Sequence, residues 1–136
     1  MKIAVCIDDR NGMLFAGRRQ SMDSCLRSRF LAMTEPDKVW MDAYTAGQFA
    51  DAEERIRVDA DYLAKAEPED WCFVEKADLP GVAEKITTIV LYRWNRHYPS
   101  DKKFPMELFA DRWTLISRED FSGSSHERIT EEVYNL

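Results

Sequence analysis

The run Ile3-Ala4-Val5-Cys6-Ile7 places five apolar residues in a row with no polar alternation. A strand with one wet face alternates, so a strand that does not alternate must be covered on both faces. That is the habit of parallel or mixed sheets with helices packed on either side. Ile86 to Trp94, opening on the β-branched Ile86, Thr87, Thr88, Ile89 and Val90, demands a sheet position in the same way. Val39-Trp40-Met41 and Trp71-Cys72-Phe73-Val74 are two further short buried strands.

Between the strands the period changes. Met22, Leu26 and Phe30 recur every four residues, with Cys25 and Met33 on an adjoining stripe, which predicts a helix capped by Ser21 and closed by Pro36. Thr45 is placed to cap a brief helix through Phe49, and "DADYLAKA" predicts another ending near Pro68. The charged stretch from Ala50 to Arg57 reads as a solvated turn and edge. Residues 95–105, "NRHYPSDKKFP", read as a loop, Trp113 to Ile116 as a strand, and Arg128 to Tyr134 as a strand or a short helix. The alternation of strands and helices predicts an α/β fold, with a mixed, mostly parallel sheet and antiparallel C-terminal strands.

At 136 residues the chain is expected to form a single domain, 1–136. The apolar runs are too short to span a bilayer and no signal-peptide pattern leads the chain, so no membrane contact and a cytoplasmic location are expected. Cys6, Cys25 and Cys72 are odd in number and widely spaced, which predicts buried core residues and neither a disulfide framework nor a metal site. A net charge of -6 argues against a nucleic-acid surface. The charge is nonetheless segregated. Residues 10–29 hold five arginines against the single acid Asp23, and residues 93–103 hold four cations against Asp101.

Three segments give the chain a resemblance to a known family. "IAVCIDDRNGM" resembles the opening strand and Asn-Gly loop of the dihydrofolate reductases. Asp23 with "SCLRSR" is similar to that family's acidic residue at the start of its first helix, with "KVWMDAYT" standing at its second strand. "IVLYRWNRHYPSDKKFP" followed by "WTLIS" resembles its late strand, its Phe-Pro loop and its closing hairpin. The resemblance implies a compact three-layer dihydrofolate reductase-like fold. The whole chain is also similar to short bacterial proteins ending in "DF-GSSHE-IT", which implies a bacterial source. Some of those carry a ribonuclease Z label, which requires a His and Asp zinc cluster, whereas only His97 and His126 are present here, without His-x-His spacing.

The resemblance makes Asp23 the candidate catalytic carboxylate, able to hydrogen-bond a heterocycle edge and help deliver a proton. The plain alternative is an acid favoured by the helix macrodipole. Arg18, Arg19 and Arg27, with Arg96 and Asp101 from the late loop, become candidate binders of a small anionic or nucleotide-like ligand, since guanidinium groups take phosphate and carboxylate bidentately. They serve equally well as surface charges offsetting the chain's own acids. Tyr92 is a candidate cleft residue, although an aromatic on a central strand more often belongs to the core. Thr45 stands where a cofactor phosphate-binding threonine falls in the family.

Departures from the family pattern predict that no cofactor is used. Arg18-Arg19-Gln20 replace its Leu-Pro-Trp segment, Asp42 sets a carboxylate near the phosphate position, and Glu75-Lys76 replace a Gly-Gly turn. The segment between Phe49 and Trp71 is short for the adenosine-binding strands, so much of that part is expected to be missing. Two other readings stay open: an active NADPH-dependent reductase of a pterin-like substrate, and a non-enzymatic protein-interaction module. "SGSSHE" lacks a nucleophile elbow and an orienting acid, and reads as a solvated turn. The anionic-ligand reading requires the two cationic turns to share one rim. The sequence names neither a reaction nor an oligomeric state.

Overall fold

The computed structural model describes residues 1–49 and 54–136. In chain order its elements are β1 (Lys2–Ile7), β2 (Gly12–Phe15), β3 (Arg18–Arg19), α1 (Ser24–Thr34), β4 (Val39–Met41), α2 (Ala43–Ala46), β5 (Ile56–Val58), α3 (Tyr62–Lys65), β6 (Trp71–Phe73), β7 (Thr88–Arg93), β8 (Lys102–Lys103), β9 (Thr114–Phe121) and β10 (Ile129–Asn135). Short 3-10 turns cover Gly47–Phe49, Pro80–Lys85 and Met106–Phe109.

The main sheet has the order β5-β4-β6-β1-β7-β10-β9, and β3-β2-β8 form a small second sheet. β1 runs parallel to β6 and β7, with Ile3 opposite Cys72 and Ile89. β10 pairs antiparallel with β7 and β9. The unbroken apolar character of β1 is explained by its two faces. Ile3, Val5 and Ile7 enter one core with Ile89, Leu91 and Phe109, while Ala4 enters the other with Val90, Phe73 and Phe30. Each such Ile or Val buried from water contributes roughly 1.5–3 kcal/mol.

The helix of the second core is shorter than its sequence period suggests. Asp23, not Ser21, caps α1, its Oδ1 accepting from the Leu26 N–H at 3.0 Å. Met22 therefore lies outside the helix and is 52% exposed. Cys25 is also exposed, unlike the buried Cys72, because only Leu26, Phe30 and Thr34 form the inward stripe. Phe30 meets Phe73 and Trp71 edge-on at 5.1 and 6.0 Å. Likewise Asp42 caps α2 by accepting from the Thr45 N–H, so Thr45 sits inside that helix rather than at its cap.

Of the charged stretch, residues 50–53 lie outside the described residues, and Ile56–Val58 is an edge strand parallel to β4. The C-terminal segment is a strand, and its partner β9 extends to Phe121. Residues 95–105 contain β8, which pairs with β2. The β2–β3 hairpin carries no Asn-Gly signal: its two-residue turn is Ala16-Gly17, both at positive φ, 52° and 72°. Alanine pays a steric cost in that conformation. Ala16→Asn is therefore expected to raise stability by about 0.5–1 kcal/mol, read as a higher urea midpoint at unchanged slope. Among the described residues no helix is long and apolar enough to cross a membrane.

Candidate functional site

Open sheets of this kind take ligands outside the carboxyl ends of their parallel strands, where the strand order reverses. In this chain that edge is built by the residues following β1, β4, β6 and β7.

Asp8 follows β1 and is 1% exposed. Its Oδ1 accepts from the N–H groups of Arg10 (2.8 Å) and Gly12 (2.7 Å), and its Oδ2 from the N–H of Tyr98 and the side-chain amide of Gln20, both at 3.1 Å. Burial works against the charge, but these donors hold the carboxyl below its ordinary range. Asp8 thus ties the first cationic turn to the second. The Asp9 N–H also donates to the Arg96 carbonyl at 2.9 Å, and Phe104 N–H to the Asn11 carbonyl at 2.8 Å.

Beside it the crevice is filled by an ion pair. Arg19 donates from Nε to Glu75 Oε2 at 2.9 Å and from Nη2 to Oε1 at 3.1 Å. Thr45 Oγ1 donates to the same Oε1 at 2.9 Å. The guanidinium lies over the Tyr44 ring at 4.2 Å and donates to the Tyr44 carbonyl, while Lys76 Nζ also lies over that ring, at 3.8 Å. Burial opposes the Arg19 charge, yet the Glu75 carboxylate holds it above its ordinary pKa. The cavity left here measures about 10 Å³, room for a single water, against Cys6, Gln20, Val74 and Trp94.

Asp23 is buried at the start of α1, and its acceptors are taken by its own chain. Besides the Leu26 N–H, it receives the Ser125 N–H at 2.7 Å and lies 2.9 Å from the Ser125 hydroxyl. Burial would raise its pKa, but the N–H groups of Ser125, Ser124 and Leu26 hold the carboxyl well below the usual range. Gly123 makes this approach possible, since a Cβ there would lie 2.3 Å from Asp23 Oδ2 and 2.7 Å from Ile129 Cδ1.

The "SGSSHE" segment is a turn exposed at Ser122, Ser124, Ser125 and Glu127, as a solvated turn should be, but His126 within it is buried. His126 is only 4% exposed, stacked on Trp94 at 4.6 Å, with Nε2 2.7 Å from the Tyr98 hydroxyl and Nδ1 2.7 Å from Ser125 Oγ. Burial, then the nearby Arg96 charge, hold the imidazole below its ordinary pKa. A neutral ring has one N–H to give. The order that keeps Ser125 Oγ and Asp23 from facing lone pair to lone pair runs from Tyr98 O–H to Nε2, from Nδ1–H to Ser125 Oγ, and from Ser125 O–H to Asp23. In that order the imidazole donates to the serine and does not activate it as a nucleophile.

The structure brings Arg19 and Thr45 together through Glu75, and places Arg96 near His126. Asp101 staples the β2–β3 turn by accepting from the Ala16 N–H at 3.0 Å. Arg18 is exposed on β3, Arg27 sits half-buried on α1, and Tyr92 is fully buried in the α1-side core. None of those three joins the crevice residues. Asp8, Ser125, His126 and Tyr98 were not legible as a group. Only the Asp-x-Asx pattern of "DDRNG", an Asx-turn signature, marked one of them.

The two cationic turns do share a rim. Pairing of β2 with β8, Gly12 opposite Lys103 and Leu14 opposite Lys102, sets them side by side. Between them lies a groove of about 400 Å³ lined by Arg10, Asn11, Lys103, Phe104, Met106 and Glu107. Lys102 is engaged by Asp78 at 2.8 Å, whereas Arg10 and Lys103 have no ion-pair partner among the described residues. No group of three His, Cys, Asp or Glu residues among the described residues is placed to hold a metal ion.

No family model matches the sequence, and no curated protein matches it. By structure, 224 solved chains match. One is the dihydrofolate reductase from Enterococcus faecalis complexed with NADP(H) and RAB-propyl, with a TM-score of 0.68 at 11% identity, covering 99% of this chain and 95% of that one. The chain therefore has a dihydrofolate reductase-like fold, a mixed α/β architecture with a mostly parallel sheet and antiparallel C-terminal strands.

Proposed function

We propose that this protein binds a small anionic molecule in the groove between the Asp8–Gly12 turn and residues 102–107, and that it does not perform nicotinamide chemistry in the crevice. One observation carries the reading: two cations without internal partners, Arg10 and Lys103, line one groove in which Glu107 is the one carboxylate. Arg10 supplies a planar fork and Lys103 a point charge, a pairing suited to phosphate or carboxylate. Pro105 and Met106, both part-exposed, offer contact to the body of the ligand. Arg18 and Arg96, exposed on neighbouring turns, add to the field that draws an anion inward.

The crevice does not fit a dinucleotide. Thr45, the residue the family resemblance makes a phosphate ligand, gives its hydroxyl to Glu75, and the carboxylate lies where a phosphate would need only donors. Asp23 has its acceptors filled by Leu26, Ser124 and Ser125, which weighs against its catalytic use. For a protein-interaction module, Leu115 and Ile116 on β9 are each half exposed, but as neighbours on one strand they point to opposite faces and form no single patch.

Titration with inorganic pyrophosphate, followed by thermal unfolding, tests the reading. At a hundredfold the dissociation constant the stabilisation should reach about 2.7 kcal/mol. Arg10→Ala and Lys103→Ala should each weaken binding about tenfold, the scale of one lost charge-assisted contact. NADPH or folate stabilising the protein while pyrophosphate does not would reverse it.

A further inference from the structure

The geometry points to a second anion site, independent of the groove, whose resident anion is the chain's own Glu75. Three donors from two other segments converge on that one carboxylate: Nε and Nη2 of Arg19 from β3, and Oγ1 of Thr45 from α2. The guanidinium is fixed by more than Glu75. Its Nη2 also donates to the Tyr44 carbonyl at 3.0 Å, its face lies on the Tyr44 ring, and the Arg19 backbone N–H donates to the Tyr44 hydroxyl at 2.9 Å. The donors are thus held in place by partners other than the anion, which is what preorganisation of a site means.

The location gives the pair a consequence. It stands at the carboxyl edge of the parallel strands, and the space beside it is about 10 Å³. An external carboxylate or phosphate can take the three donors of Arg19 and Thr45 that face Glu75 only by displacing it, so the pair works as a lock on the crevice. The partly buried guanidinium in turn favours an anion beside it, because a charge withdrawn from water and left uncompensated is unfavourable. Removal of the Glu75 carboxylate should therefore convert an internal ion pair into a receptor for a free carboxylate. Glu75→Ala excises the equivalent of acetate, which makes acetate the matching probe.

The test is thermal unfolding of the wild type, Glu75→Ala, and the Arg19→Ala/Glu75→Ala double variant, each with up to about 200 mM sodium acetate or sodium chloride at matched ionic strength. Glu75→Ala should be destabilised and then restored saturably by acetate but not by chloride, with half-saturation at least about tenfold below any effect on the other two proteins. Equal rescue of the double variant, or of chloride and acetate alike, would overturn the assignment. Should Glu75→Ala not fold alone, refolding yield in acetate against chloride gives the same reading. In the wild type, the Arg19 Nε–H NMR signal should exchange slowly and stay unmoved by acetate. A freely exchanging signal would mean that the lock does not form. Neither result depends on pyrophosphate binding at Arg10 and Lys103, so the two sites stand or fall separately.

Discussion

Asp23→Ala is expected to lower the unfolding free energy by about 3 kcal/mol, a large value for a single substitution. The first part is loss of the α1 cap, worth about 1 kcal/mol. The larger part comes from the turn at 123–126. Without the carboxylate, the N–H groups of Ser124 and Ser125 lose their acceptor on a partly solvated turn, where water makes up some of the loss. Each orphaned donor costs about 1–3 kcal/mol. His126 would lose the Ser125 hydroxyl as an oriented partner, loosening its stack on Trp94. Urea unfolding at neutral pH measures the effect, and a loss below about 1 kcal/mol would show that Asp23 does not hold the turn.

The same cluster sets an acid dependence. The folded pKa of His126 is lowered, chiefly by burial and then by Arg96. The unfolded state therefore binds more protons as pH falls through the ordinary histidine value near 6.5, and stability declines there. The folded pKa of Asp23 is lowered as well, so its contribution is complete above the ordinary carboxylate value near 4 and is lost as pH falls below it toward the folded value. The wild type should thus weaken in two stages, and Asp23→Ala should lack its share of the lower one while the share of Asp8 remains.

Much of the sheet was legible because burial on both faces leaves a direct mark. The runs at Ile3–Ile7 and Thr88–Leu91 have no polar alternation, and the structure sets them side by side. The helix was legible from Leu26 and Phe30, but its start was not, since Met22 extends the apolar period one step beyond the point where Asp23 ends the helix. The β2–β3 hairpin was hidden by its Ala16-Gly17 turn. The site was least legible, for reasons of distance along the chain. Asp23 meets Ser125 across 102 residues and Arg19 meets Glu75 across 56. Residue type alone marked Asp23 and Arg19 as unusual. Only the fold supplies the partners that decide what each can do, and in both cases those partners belong to the chain itself.

Asp8→Ala should produce a comparable loss, about 3 kcal/mol, together with a loss of anion binding at the groove. One buried carboxylate serves four donors, the N–H groups of Arg10, Gly12 and Tyr98 and the Gln20 amide. The bond to the Gly12 N–H is buried, and the other three are partly buried and will find water, which keeps the cost near that at Asp23. The turn itself will persist, because Asp8 N–H still donates to the Gly12 carbonyl at 3.0 Å and Asn11 N–H to the Asp8 carbonyl at 3.1 Å. The variant is therefore expected to fold, with the orientation of Arg10 relative to Lys103 no longer fixed. Pyrophosphate affinity, measured by calorimetry well below the melting temperature, should fall about tenfold or more, as it does when either cation is removed. Unchanged affinity with reduced stability would mean that Arg10 does not need its turn to meet the ligand, and would leave Asp8 a purely structural residue. A joint loss would mark it as the residue that couples β1 to the geometry of the basic rim.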